Sequence, residues 1–147
     1  MRHRRKVKKL NYPAAHRTAL LKNLARSTFI HYGIVTTLPK AKEVSKLISS
    51  LIAFAKADTL SARRQAFAYL QDKRLVKKIF DEIGPKFPDR TSGYTRIVRL
   101  GPRKGDGAKL ALVELIGFED ERKKRQEELI ERRKQREERR LKGEVEK

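Results

Sequence analysis

The chain has 147 residues and carries 38 Lys and Arg against 18 Asp and Glu, a net charge of +20. A charge of that size repels itself in the free chain and is ordinarily offset by a polyanion. The absence of Cys excludes disulfides, thiolate zinc sites and a Cys nucleophile, and the three His, at positions 3, 16 and 31, are too far apart in sequence to suggest a His metal site.

The longest nearly apolar stretch, Leu47 to Ala55, is 9 residues, whereas a membrane span needs about 20. No apolar segment follows the basic N-terminus, so it does not read as a secretory signal. The expected class is a cytoplasmic polyanion-binding protein without a membrane segment. Residues 1–42 contain no acid and eleven bases. Residues 1–118 carry 26 bases and 8 acids, whereas residues 119–147 carry 12 and 10. The positive field therefore belongs to the body, and the composition changes near Gly117-Phe118.

Residues 1–12 have few apolar side chains and predict a basic N-terminal arm, extended and disordered when free. Pro13 suits a first helical turn. Leu20, Leu21, Leu24, Ala25 and Thr28 then recur at helical spacing, predicting a helix to His31 ended by Gly33. Ile34 to Leu38 is β-branched and short, the pattern of a strand. Pro39 opens a second helix in which Val44, Leu47, Ile48, Leu51, Ile52 and Ala55 form an unbroken apolar stripe. Ser61 is the expected cap of a short helix through Leu70, and Asp72 that of a fourth, with Leu75, Val76, Ile79, Phe80 and Ile83 inward and Gly84-Pro85 at its end.

Residues 84–93 read as a loop, Tyr94–Leu100 and Lys109–Ile116 as a hairpin around Gly101–Gly107. Glu119 to Lys142 is almost wholly Glu, Lys, Arg and Gln. Its Glu119/Lys123, Asp120/Lys124, Glu121/Arg125, Glu128/Arg132 and Glu138/Lys142 pairs predict a solvated helix stapled along its own surface. The order α-β-α-α-α-β-β predicts an α+β fold, a small three-stranded sheet packed on helices. The arm spans 1–12, the domain 13–118 and the charged helical tail 119–147.

The bases on the arm, Arg2, Arg4, Arg5, Lys6, Lys8 and Lys9, are suited to following a phosphate path and displacing its counterions. Arg17, Lys22 and Arg26 form a candidate stripe on the first helix, with Arg17 able to grip a phosphate through two parallel N–H bonds. His3 and His16 are candidates for stacking or phosphate donation, against an equally plain surface role. His31 reads as structural, at the helix end. Lys40 and Lys42 add charge to a helix N-terminus that already favours phosphate. Tyr94 either stacks on a base or closes the core, Arg96 follows it on the strand, and Arg103 and Lys104 sit at the hairpin tip. Gly101, Gly105 and Gly107 do not form a nucleotide loop, because Asp106 stands where the phosphate-loop pattern needs Gly and then Lys. The adjacent acids Asp81 and Glu82 point to different helix faces and make no acid–base pair. No catalytic set, metal site, cofactor or small-molecule substrate is expected. Composition alone leaves open a general nucleic-acid-binding or DNA-compacting protein as the alternative.

Several segments, in order over residues 1–117, resemble the bacterial large-subunit ribosomal protein family numbered seventeen in the L series. They are Met1-Arg2-His3-Arg4; Asn11, His16-Arg17 and Asn23; Thr36 to Glu43; Arg63-Arg64 with Ala66; Phe80 to Pro85; Gly93 to Ile97; and Gly105 to Ala108. The resemblance implies a non-catalytic domain that binds 23S ribosomal RNA on the exit-tunnel side of the large subunit and touches neighbouring ribosomal proteins there. It adds Asn11, Asn23, Arg63 and Arg64 to the candidate RNA-binding residues. The chain departs from the family pattern in two places. Pro13-Ala14-Ala15 replaces the Ser residues usual before His16-Arg17, and the charged tail beyond Phe118 is longer than the common ending.

Overall fold

A computed structural model describes residues 9–145. In chain order the elements are α1 (Ala14–His31), β1 (Gly33–Thr37), α2 (Leu38–Ala57), α3 (Leu60–Leu70), α4 (Lys73–Lys78), β2 (Thr95–Pro102), β3 (Lys109–Leu115) and α5 (Glu119–Val145). This is the expected α+β arrangement. The sheet is antiparallel in the order β1-β3-β2. The last strand therefore lies in the middle and pairs with both others.

The apolar stripe of α2 explains where the core lies. Val44, Ile48, Leu51, Ile52 and Ala55 are all buried, with Leu47 packed against them from the edge. Ala111, Val113 and Leu115 project from one face of β3 into the same core, as the two-residue period of a strand requires, while Glu114 on the other face is buried as well. The row Ile34, Val113 and Ile97 crosses all three strands. A hydrogen bond between the Ser45 and Thr95 hydroxyls, 2.6 Å long, fixes α2 against the start of β2.

Helix α4 starts at Asp72, whose carboxylate accepts from the N–H groups of Arg74 and Leu75, as expected. Beyond Lys78 the helix widens into a π turn over Ile79–Ile83, where the Gly84 N–H reaches back to the Ile79 carbonyl. Gly84 sits so close to α2 that a Cβ there would lie 3.0 Å from that of Ala55. The wide turn and the missing side chain together let α4 end against α2.

Three local expectations are corrected. Helix α1 ends at Tyr32 (φ 59°), not Gly33. The left-handed tyrosine is held by a parallel stack on Phe118 at 5.0 Å, by the Lys78 ammonium 4.0 Å above its ring, and by the Leu115 N–H bonding its carbonyl. Helix α3 is capped by Thr59 rather than Ser61, its hydroxyl accepting from the Ala62 N–H.

The third correction concerns the tail helix. Its first two turns are not stapled along their own surface but are spent on the body. Glu121 pairs with Lys86 at 2.6 Å, Arg122 with Glu114 at 3.1 Å and Glu119 with Arg96 at 3.4 Å. Phe118, just ahead of α5, is buried beneath Lys86. Farther along, Arg125 pairs with Glu128 within the helix at 2.9 Å, Gln135 donates to Glu131, and the described surface of α5 becomes exposed.

Candidate RNA-binding surface

The cationic surface is built around the starts of α1 and α2. Neither helix has a side-chain cap or an acid in its first turn, so each presents the positive end of its dipole, although Pro39 removes one N–H from the start of α2. Residues 9–12 close a turn through a Tyr12 N–H to Lys9 carbonyl bond, with Leu10 and Asn11 in the left-handed region. That turn places the Tyr12 ring 4.5 Å from the ring of His16, nearly parallel, and beneath the Lys40 ammonium at 5.6 Å. The His16–Tyr12–Lys40 stack thus bridges the first turns of the two helices and draws both positive ends to one pole.

Lys9, Asn11, His16 and Lys42 are exposed around this pole, and Arg17 is half-exposed. The first acid of the chain, Glu43, is buried and bonded by Lys46 at 3.0 Å, so it leaves the pole unneutralised. Along α1, Lys22 is half-exposed and Asn23 exposed. Arg17, Lys22, Lys40 and Lys42 make no ion pair among the described residues. The candidates Arg2, His3, Arg4, Arg5, Lys6 and Lys8 lie outside the described residues.

Other candidates are occupied elsewhere. Arg26 turns inward and donates from Nε and its terminal nitrogen to the Leu70 carbonyl, capping the end of α3. Arg96 donates to buried Glu114 at 2.8 Å, and this bond raises its pKa. Tyr94 is buried, bonds the Arg90 carbonyl at 3.1 Å and packs edge-on against Phe87. It closes the core, and its ring is not open to a base. Arg63 lies over Phe80 and pairs with Asp58 at 2.6 Å, whereas Arg64 is exposed. At the hairpin tip Arg103 grips Asp106 with two bonds, holding that carboxyl far below the usual carboxylate range. Lys104 beside it is exposed.

The sequence reading missed Phe67. Its ring is 40% exposed on α3 although large and apolar, and it lines a groove with Lys73 and Lys77 of α4. The available signal was its position four residues after Arg63 and three after Arg64, on the same helix face.

Among the described residues no group of three His, Asp or Glu is placed to hold a metal, and no helix is long and apolar enough to cross a membrane. A cationic pole on a small α+β domain is the make-up of a protein that docks on a polyanion. The profile of the family described as ribosomal protein L17 matches residues 20–116. The chain is 51% identical over 116 residues to the large ribosomal subunit protein bL17 of Dictyoglomus thermophilum, covering 79% of this chain and all of that one. It is 50% identical over 135 residues to that of Solibacter usitatus, covering 88% and 90% of the two. The chain belongs to the ribosomal protein L17 family.

Proposed function

We propose that the chain is a structural, non-enzymatic component of the bacterial large ribosomal subunit that binds 23S ribosomal RNA through the α1–α2 pole. The acid-free segment ahead of the pole continues the same contact, and the domain sits beside neighbouring proteins on the exit-tunnel side. The observation that carries the reading is the His16–Tyr12–Lys40 stack. It brings two uncapped, acid-free helix starts together where phosphates are best received. Exposed Lys9, Lys42, Arg64 and Lys104, with half-exposed Arg17 and Lys22, extend the positive surface. Family membership favours ribosomal RNA over duplex DNA as the polyanion.

Binding of the purified chain to 23S ribosomal RNA, followed against salt, tests this. Each phosphate contact contributes roughly 0.7–0.9 to the log–log slope. Replacing Lys40 and Lys42 by Ala should flatten the slope by about 1–2 and weaken binding. An unchanged slope, or preference for duplex DNA over the RNA, contradicts the proposal. Cross-linking in intact subunits tests the exit-tunnel position directly: links only to proteins of another region would displace it.

A further inference from the structure

We infer that the groove between α3 and α4 receives one unpaired nucleotide of ribosomal RNA, its base stacked on Phe67; this rests on the RNA-binding reading above. The groove has a volume of about 450 Å³. Its floor is Phe67 with buried Val76 beneath, and its rim carries Arg64, Lys73 and Lys77. Those three cations are without an ion-pair partner among the described residues, and Arg64, Lys73 and Lys77 are all exposed. The Phe67 ring stacks on no other aromatic ring among the described residues.

The charges are unevenly placed, and that gives the occupant a direction. Arg63 is held by Asp58 and lies 3.7 Å from Asp81, so its charge is answered. Lys73, two turns of chain before Asp81, and Lys77 make no ion pair among the described residues. A nucleotide therefore lies with its base over Phe67 and its phosphates toward α4. A single exposed ring flanked by unneutralised cations is how single-stranded nucleic acid is held without sequence preference. A partner helix is the poorer fit. It needs several apolar anchors along its length, whereas this floor offers one exposed ring.

The chain has no Trp, so a Phe67→Trp variant of the full chain carries its only indole in the groove. Its probes are oligoadenylate, an abasic oligonucleotide of equal length and charge, free adenosine monophosphate and polyglutamate. Oligoadenylate should quench the indole, and the abasic strand should not. A Phe67→Ala variant should lose roughly 5- to 150-fold in oligoadenylate affinity, the usual worth of one stacked base, with abasic binding unchanged. Equal quenching by polyglutamate would point to an acidic protein segment, and equal affinity for the free mononucleotide to a small-molecule site. Either result overturns the inference. If the unmutated chain binds 23S ribosomal RNA while Phe67→Ala matches it on every probe, only the groove assignment fails. If the unmutated chain binds no RNA, the parent reading fails with it.

Discussion

The Arg122 guanidinium of α5 reaches the buried carboxylate of Glu114 on β3 at 3.1 Å by crossing directly over Gly33. A Cβ on Gly33 would lie 2.7 Å from the Arg122 Cδ and 3.1 Å from the Val113 carbonyl oxygen. The glycine that the sequence suggests as a helix stop is therefore needed for a close approach, and the turn itself falls on Tyr32. Gly33→Ala should cost about 1–3 kcal/mol through overpacking. Arg122→Ala should cost about 1–3 kcal/mol because Glu114 then keeps only Arg96 as a partner among the described residues. The double variant should cost less than the sum, since removing Arg122 clears the nearest clash. Urea unfolding of the four proteins measures the coupling, and strict additivity would mean that Arg122 does not lie over Gly33.

Helix α2 offers a cleaner test of burial. Ile48 is fully buried and Leu47 only partly so. Ile48→Ala should cost about 2–5 kcal/mol, and Leu47→Ala distinctly less, both read from urea midpoints. A loss below about 0.5 kcal/mol for Ile48, the range of surface changes, would contradict the placement of this stripe.

Which elements were legible follows from the range of the forces that fix them. The stripe of α2 and the Asp72 cap are local patterns, and both are present where the sequence puts them. The fate of a cation is not local. Arg26 finds its acceptor 44 residues away at Leu70, and Arg96 finds Glu114 18 residues away. A count of bases cannot tell a phosphate ligand from a tertiary clamp until the strands pair. The same holds for α5, whose regular i, i+4 charges suggested self-stapling, while Lys86 and Glu114 compete for its first turns. Phe67 was overlooked because a lone apolar residue at helical spacing ordinarily belongs to the core.

Tyr94 shows how a core role and an RNA role separate experimentally. Its hydroxyl bonds the Arg90 carbonyl and its ring is enclosed. Tyr94→Phe should lower stability by about 0.5–1.5 kcal/mol, the net worth of one hydrogen bond, and leave RNA affinity unaltered. A drop in affinity without a drop in stability would return Tyr94 to the binding surface.

His31 makes stability depend on pH. Its Nδ1 is buried without a hydrogen-bond partner among the described residues. Burial, and then the charges of Arg125 on α5 and Lys78 on α4, hold its pKa below the ordinary 6.5. The unfolded chain therefore binds this proton more readily than the folded one, and stability rises with pH across the interval. On acidification the contribution of a neutral His31 begins to be lost near pH 6.5 and continues to fall toward the lower folded value. Melting temperatures between pH 7.5 and 5 should show this decline, and His31→Gln should flatten it. An identical slope in the variant would assign the decline to other groups.

The hairpin tip contains a cation that is already occupied. Arg103 spends its Nε and a terminal nitrogen on Asp106, and the Ala108 N–H bonds the same carboxylate. Lys104 is thus the tip's available positive charge, although the sequence shows two adjacent bases. Asp106→Asn removes the competing charge while keeping an oxygen for the Ala108 N–H. With the tip against RNA, Arg103 is then released to a phosphate, and the salt dependence of 23S ribosomal RNA binding should steepen by roughly 0.7–0.9, one further contact. Pairing the substitution with Arg103→Ala should abolish the gain, which separates a new phosphate contact from the simple loss of a negative charge. A slope that does not change in Asp106→Asn would turn the tip away from the RNA and leave the α1–α2 pole to hold it.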